Sequence, residues 1–222
     1  MMPITGPRAK GSTVQSTLAF IADTFGEPVS TEVLHALEPH DRTVVAALGS
    51  TDELPYALVV RVWETANHVV LLHAPEALHW AEQAGAASIG SYGVQLYGGI
   101  LRKPSPLEFL TQSISLFRLY YQPGDMQVVE NAPGRVVLRL VGFDPVTTLF
   151  CRRQVGGLRQ AITLAGGGHA HVRHVRCAIE GDAFCEWELH WQVESIGVSG
   201  GATATGSEPL PGARGAGAGR AP

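Results

Sequence analysis

The hydrophobic period of this chain changes near its middle, and that change restricts the folds it can adopt. Before about residue 121, apolar residues recur at helical spacing, as in the segment that runs from Val14 to Phe25. After it, runs such as RVVLRLVG alternate, and turn dipeptides such as Pro133-Gly134 separate them. A second helical stretch follows Asp144-Pro145, before two more strand-like runs. The order predicts an α+β fold with N-terminal helices packed on an antiparallel β-meander and a crossover helix between its strand pairs.

Composition sets the limits of the folded part. The chain of 222 residues is 45% hydrophobic and 16% charged, which is enough for one core. We expect residues 1–10 to be disordered, 11–195 to form one domain, and 196–222 to be a disordered tail rich in Gly, Ala and Pro.

Charge and cysteine usage narrow the class of protein. A formal net charge of −4 predicts no binding to nucleic acid. The apolar runs are too short for a membrane span, and the N-terminus has no secretory h-region. Three cysteines favour a reducing compartment. We therefore expect a cytoplasmic protein without membrane contact.

The three cysteines are the most informative residues. If the last turn is the three residues 180–182, Cys177 and Cys185 lie directly opposite one another on a hairpin. Cys151 lies in the preceding helix, which should pack across the same sheet. His174 could complete a tetrahedral zinc site, and His171 and His169 remain alternatives. Buried cysteines that serve only as small hydrophobic residues are the competing interpretation.

The segment CAIEGDAFCEWELHW, with Cys151 upstream, resembles the end of 4-vinyl reductase-type domains. These include the sensory domains of activators that respond to aromatic compounds. The resemblance implies a structural zinc ion on Cys151, Cys177 and Cys185, with His174 at the position of the family's acidic ligand. Positions 174 and 177 have opposite strand parity, so this ligand set requires a twist or a β-bulge.

The chain from residue 11 to 195 also resembles small myxobacterial proteins of unknown function. Their architecture is that of TRAPP subunits and is related to haem-based nitric-oxide sensors. This resemblance implies a homodimer formed through the N-terminal helices. The sensors' tyrosine–serine–arginine haem motif is not found, and no histidine lies between Pro106 and Tyr121, so we expect no haem.

Aromatic residues suggest where a ligand could bind. Phe109, Phe117, Tyr120 and Tyr121 could line a hydrophobic pocket between helices and sheet, or form ordinary core. No nucleophile–base pair or carboxylate pair stands out, so we expect no enzymatic activity. The predicted function is small-molecule sensing with a structural zinc ion and an apolar ligand. The alternative is a dimeric scaffold module of the same fold without a ligand, and convergent polar groups in the pocket would separate the two.

Overall fold

The computed structural model describes residues 6–95, 105–112 and 114–192. The predicted tail, residues 196–222, and the first five residues therefore lie outside the described residues. In the described part, helices and antiparallel sheets form a mixed fold, which confirms the α+β prediction.

Five helices lie within residues 6–95. They are α1 (Ser12–Phe25), α2 (Glu27–Ala36), α3 (Pro39–Ala46), α4 (Tyr56–His73) and α5 (Trp80–Ile89). Their buried faces carry the apolar residues that the helical spacing indicated, such as Val14 and Ile21 in α1. Two shorter helices, α6 (Pro106–Gln112) and α7 (Ile114–Tyr120), lie further along the chain.

A small sheet joins three separate parts of the chain. Its strands are β1 (Arg8–Lys10), β2 (Glu53–Pro55) and β3 (Tyr121–Gln122), in the order β2-β1-β3 and all antiparallel. Residues 8–10, which we expected to be disordered, are thus held in a strand. The backbone of Ala9 pairs with Leu54 and Tyr121, and this pairing orders residues 8–10 although their local composition did not predict a strand.

The main sheet has four antiparallel strands: β4 (Asp125–Ala132), β5 (Arg135–Val141), β6 (Gly168–Arg176) and β7 (Glu186–Gln192). Their order is β4-β5-β7-β6, so the predicted meander is wrong in its second half. The chain leaves β5, forms α8 (Thr148–Leu164), passes to the edge as β6 and returns as β7 beside β5. The crossover helix between the strand pairs is confirmed.

Helix α8 packs closely against α5, where glycines replace side chains. A Cβ on Gly85 would collide with the carbonyl oxygen of Arg153, and one on Gly156 with that of Glu82. Only residues without a Cβ allow this approach. It brings the first turns of α8 between the helices and the sheet. None of the described helices is long and apolar enough to cross a bilayer.

Candidate functional site

The four predicted metal-ligating residues meet at one place in the fold. The Sγ atoms of Cys151, Cys177 and Cys185 and a ring nitrogen of His174 all lie within 4.8 Å of one another. The three cysteines are buried and unpaired by disulfides. His171 and His169, the alternative ligands, have exposed side chains and lie outside this group.

The positions of Cys177 and Cys185 in the hairpin differ from the predicted ones. Cys177 and Cys185 do not pair across strands, because β6 ends at Arg176 and the connection spans residues 177–185. The register shifts between His174 and Arg176, which confirms that an irregularity lets residues 174 and 177 converge. A short 3₁₀ helix, Ala178–Glu180, and a left-handed Gly181 then turn the chain.

Backbone donors hold the two loop cysteines. The amide of Cys177 donates to Oδ2 of Asp182 at 2.7 Å. The amide of Ala178 donates to Sγ of Cys185 at 3.4 Å. The neighbouring Cys151 thiol, His174 and that amide donor lower the pKa of Cys185, whereas the thiol contacts and burial raise the pKa of Cys151. The group therefore favours a thiolate at Cys185.

The donor set fits a tetrahedral metal ion. Sγ of Cys151 and Sγ of Cys185 are 3.8 Å apart. Two thiolates on one tetrahedral ion are separated by about this distance when each metal–sulfur bond is about 2.3 Å. Nε2 of His174 is buried and, among the described residues, has no hydrogen-bond partner. Its ring stacks on Trp187 with 4.8 Å between centroids, which fixes the imidazole beside the thiols.

A second candidate site lies between α8, α5, α6 and α7. It is a cavity of about 90 Å³. The four aromatic residues that the sequence offered as pocket residues, Phe109, Phe117, Tyr120 and Tyr121, all line it and are buried. Gly85, Gly157 and Ala161 form the part of the wall where the two helices approach.

Polar groups also converge on this cavity, and sequence analysis missed the most important one. Arg153 is 4% exposed, and its Nη2 donates to Oγ of Ser88 at 2.9 Å. Its guanidinium carbon lies 4.8 Å from the ring centroid of Trp63, and burial lowers the pKa of Arg153. Among the described residues, Nη1 has no hydrogen-bond partner. The available signal was its position on the same α8 face as Gly157 and Ala161, at spacings of four and eight residues.

Ser88 connects the cavity to a third helix. Its Oγ lies 2.8 Å from Oγ of Ser16 in α1 and also donates to the carbonyl of Ala84. The hydrogen bonds therefore run from α8 through α5 to α1. Thr13 and Gln154 add further polar lining. The cavity lining therefore combines aromatic and other apolar side chains with a few polar groups.

The comparisons with known proteins identify the fold. No family model and no curated protein matches the sequence. Among solved structures, the Fe(II) unliganded H-NOX protein from K. algicida matches with a TM-score of 0.62 and 10% identity, over 83% of this chain and 97% of that one. The S. oneidensis H-NOX protein in the Fe(II)NO ligation state matches with a TM-score of 0.60 and 15% identity, over 83% and 99%. At these identities the likeness shows a shared fold.

Two predictions are corrected by these matches. The resemblance to 4-vinyl reductase-type and TRAPP-like domains was wrong, because the matching structures are H-NOX (haem NO/oxygen-binding) domains. The cofactor prediction, a structural zinc ion with no haem expected, is also contradicted, because the matching structures are haem-binding domains. The short cysteine motif misled because it matches residue types over one loop and leaves the arrangement of the helices untested.

The described residues of the cavity do not by themselves fit a haem. Its volume of about 90 Å³ is well below the lower end, about 300 Å³, of pockets for drug-sized ligands. Its described lining has no His or Cys to bind iron. Burial raises the pKa of Tyr121 to about 12, so its hydroxyl stays protonated at neutral pH.

Proposed function

We propose that this chain is a non-enzymatic sensing domain that binds a small molecule in the cavity beside α8. The observation that carries the proposal is the convergence of Arg153 and Ser88 with Phe109, Phe117 and Tyr121 around one internal space. Small-molecule sites typically combine an apolar wall with a few placed polar groups. The matching H-NOX proteins from K. algicida and S. oneidensis are in the Fe(II) unliganded and the Fe(II)NO ligation states, so ligand binding by proteins of this fold has precedent.

The Ser88 hydrogen bonds give such a ligand a route to the rest of the molecule. A ligand that displaces Arg153 would alter its bond to Ser88 and, through Ser88, the contact with Ser16 of α1. A ligand can shift a protein only through contacts that differ between two states, and these hydrogen bonds are the contacts that a ligand at Arg153 would change. The three unpaired thiols favour a reducing, cytoplasmic location for this function.

The test is binding of small probes to wild type and to a variant with a filled cavity. Propanol, propanamide and propionate are titrated while methyl and aromatic NMR signals of the protein are recorded. We expect at least one probe to shift signals of the cavity residues in wild type. Ala161→Leu, which places a larger side chain in the buried wall, should abolish those shifts. Ala46→Leu, at an exposed position of α3, is the matched control and should bind as wild type does.

The outcome decides against the proposal if no probe shifts the cavity signals of wild type, or if Ala161→Leu binds as well as Ala46→Leu. In either case the alternative, a scaffold module of this fold without a ligand, would be favoured.

We further propose that Cys151, His174, Cys177 and Cys185 together hold one metal ion, which would clamp the β6–β7 connection to α8. The support is the 4.8 Å grouping of their ligand atoms and the buried, unpartnered nitrogen of His174 among the described residues. A set of four protein ligands gives an ion a constraining role, because no coordination position is left for substrate. The identity of the ion is a matter for measurement.

Elemental analysis of the purified chain should give about one thiophilic metal ion per molecule. A chelator should lower the free energy of unfolding of wild type by several kcal/mol, since binding of such an ion is coupled to folding. Cys177→Ser should purify without the ion and should not respond to the chelator. A metal-free protein that is fully folded, with the same melting curve in chelator, would contradict the metal site.

A further inference from the structure

The chemical class of the cavity's ligand follows from Arg153, provided that the cavity binds a ligand as proposed above. We infer that the cavity takes a small organic carboxylate, whose oxygens bond the guanidinium of Arg153 while its short apolar chain packs against Phe109 and Phe117. Neither the fold nor the predicted pocket residues imply this charge selectivity.

The buried guanidinium of Arg153 has no carboxylate partner among the described residues. Arg153 is 4% exposed, and no described carboxylate forms an ion pair or hydrogen bond with it. The titratable groups that act on it are the phenols of Tyr56 and Tyr121, which are uncharged at neutral pH because burial raises their pKa. An ion taken out of water without a partner costs several kcal/mol. A ligand that carries one negative charge would offset that cost.

One nitrogen of the Arg153 guanidinium, Nη1, is still able to donate hydrogen bonds to a ligand. Trp63 covers one face of the group, and Ser88 accepts from Nη2. The donors of Nη1 lie in the guanidinium plane and, in the described structure, have no acceptor. A planar carboxylate meets such an edge with one or two charge-assisted hydrogen bonds, which are stronger than bonds to a neutral oxygen.

The volume of the cavity limits the size of the carboxylate. An engineered cavity of about 150 Å³ is large enough for benzene, and the cavity here is about 90 Å³. This volume admits a carboxylate with a short chain, such as propionate or butyrate. The lining also includes the aromatic rings of Phe109 and Phe117, which would bury that chain but would not replace the hydration of a second charge. A small monoanion therefore suits the site better than a dianion.

The experiment compares propionate with its neutral isostere propanamide. Both are titrated into the full chain by calorimetry and NMR, at constant ionic strength maintained with chloride. We expect propionate to bind at least about tenfold more tightly than propanamide, because of the charge-assisted bond. Arg153→Met should remove this preference. Arg159→Gln, an exposed arginine on the same helix, is the control and should retain it.

A measurement without ligand shows whether Arg153→Met is folded and separates a binding role from a structural one. A buried arginine kept for a ligand should be replaceable by Met with an unchanged or raised melting temperature, because an unpaired charge is removed. Arg153→Lys keeps the charge and loses the planar fork, so it should retain part of the preference for propionate. These variants keep the test informative if one of them folds poorly.

Preference for propionate in wild type and in Arg159→Gln, lost in Arg153→Met, supports the inference. Equal binding of propionate and propanamide overturns the inference and leaves the small-molecule proposal standing. If propanol binds and neither propionate nor propanamide does, the carboxylate inference also fails and the small-molecule proposal stands. If no probe binds, both the carboxylate inference and the proposed function fail.

Discussion

At the scale of single residues, two glycines set the distance between α5 and α8. A Cβ on Gly85 would lie 2.8 Å from the carbonyl carbon of Arg153 and would collide with its oxygen. Both atoms belong to backbone, so a rotamer change could not relieve the contact. The position of Arg153 at the cavity therefore depends on a residue in another helix that makes no hydrogen bond to it.

Gly85→Ala is expected to lower the free energy of unfolding by about 1–3 kcal/mol, the usual cost of overpacking. The sign is informative, because Ala is otherwise the better helix former by about 1 kcal/mol. Chemical denaturation followed by circular dichroism measures the change.

Gln83→Ala, at an exposed position of the same helix, is the matched control and should change stability by no more than about 0.5 kcal/mol. A Gly85→Ala protein as stable as this control would show that the helices can separate without cost.

Residue types alone revealed some of the site residues and concealed others. Phe109 and Phe117 were found because aromatic residues at helical spacing indicate a buried face. Arg153 was not, because a charged residue in a helix is ordinarily solvated, and only its neighbours in space show that it is buried. His174 was found from its proximity in sequence to the cysteines, although strand parity placed it on the opposite face.

At the scale of elements, the connection between β6 and β7 brings the sulfur ligands together. Cys177 and Cys185 stand at its two ends, and Asp182 accepts a hydrogen bond from the Cys177 amide. The amide of Asp182 in turn donates to the Cys177 carbonyl at 3.1 Å. This reciprocal pair closes the loop independently of any ion.

Asp182→Ala should therefore loosen the loop. We expect a loss of about 1 kcal/mol in the free energy of unfolding, as for one hydrogen bond to a charged group near solvent. Amide hydrogen exchange at Cys177 and Ala178 should accelerate, and it can be read by NMR.

Glu180→Ala is the control for this change, because Glu180 is exposed in the same loop. Its exchange rates should match those of wild type. Unchanged protection in Asp182→Ala would show that the carboxylate does not hold the loop.

The elements differ in how far they could be predicted. The turn at Pro133-Gly134 was predicted correctly, since Ala132 pairs with Arg135 around it. The turn between β6 and β7 was placed correctly in the chain, but its loop is longer than predicted and the pairing differs by a residue over most of its length. A bulge depends on how the strand fits its partner and the helix above it, and period-two spacing carries no information about that fit.

At the scale of the whole molecule, the homodimer through the N-terminal helices stays a prediction. The described large apolar residues of α1, α2 and α3 are buried or partly buried, whereas exposed ones, Leu72 and Leu78, lie at and just after the end of α4. A stable dimer buries roughly 800 Å² on each partner, and we expect Leu72 and Leu78 to lie within such a surface because they are the large apolar residues exposed at the end of α4 and in the turn after it.

Light scattering at several protein concentrations should give twice the mass of 23.6 kDa if the dimer forms. Leu72→Glu with Leu78→Glu should then give a monomer that is still folded. Leu164→Glu, which replaces an exposed leucine far from these helices in sequence, is the control. A monomeric mass for wild type at all concentrations would contradict the prediction.

The sequence by itself determined the classes of the elements, the mixed α+β architecture and the residue types at both sites, because these follow from hydrophobic period and side-chain chemistry. Only the tertiary structure decided that β7 lies beside β5, that β1 is ordered, and that Arg153 is buried at a cavity with one guanidinium nitrogen, Nη1, without a hydrogen-bond partner among the described residues. Strand order and burial arise from contacts between residues far apart in the chain. The close approach of α5 and α8 also depends on Gly85 and Gly156, and no local pattern in the sequence shows which residues of another helix these glycines face.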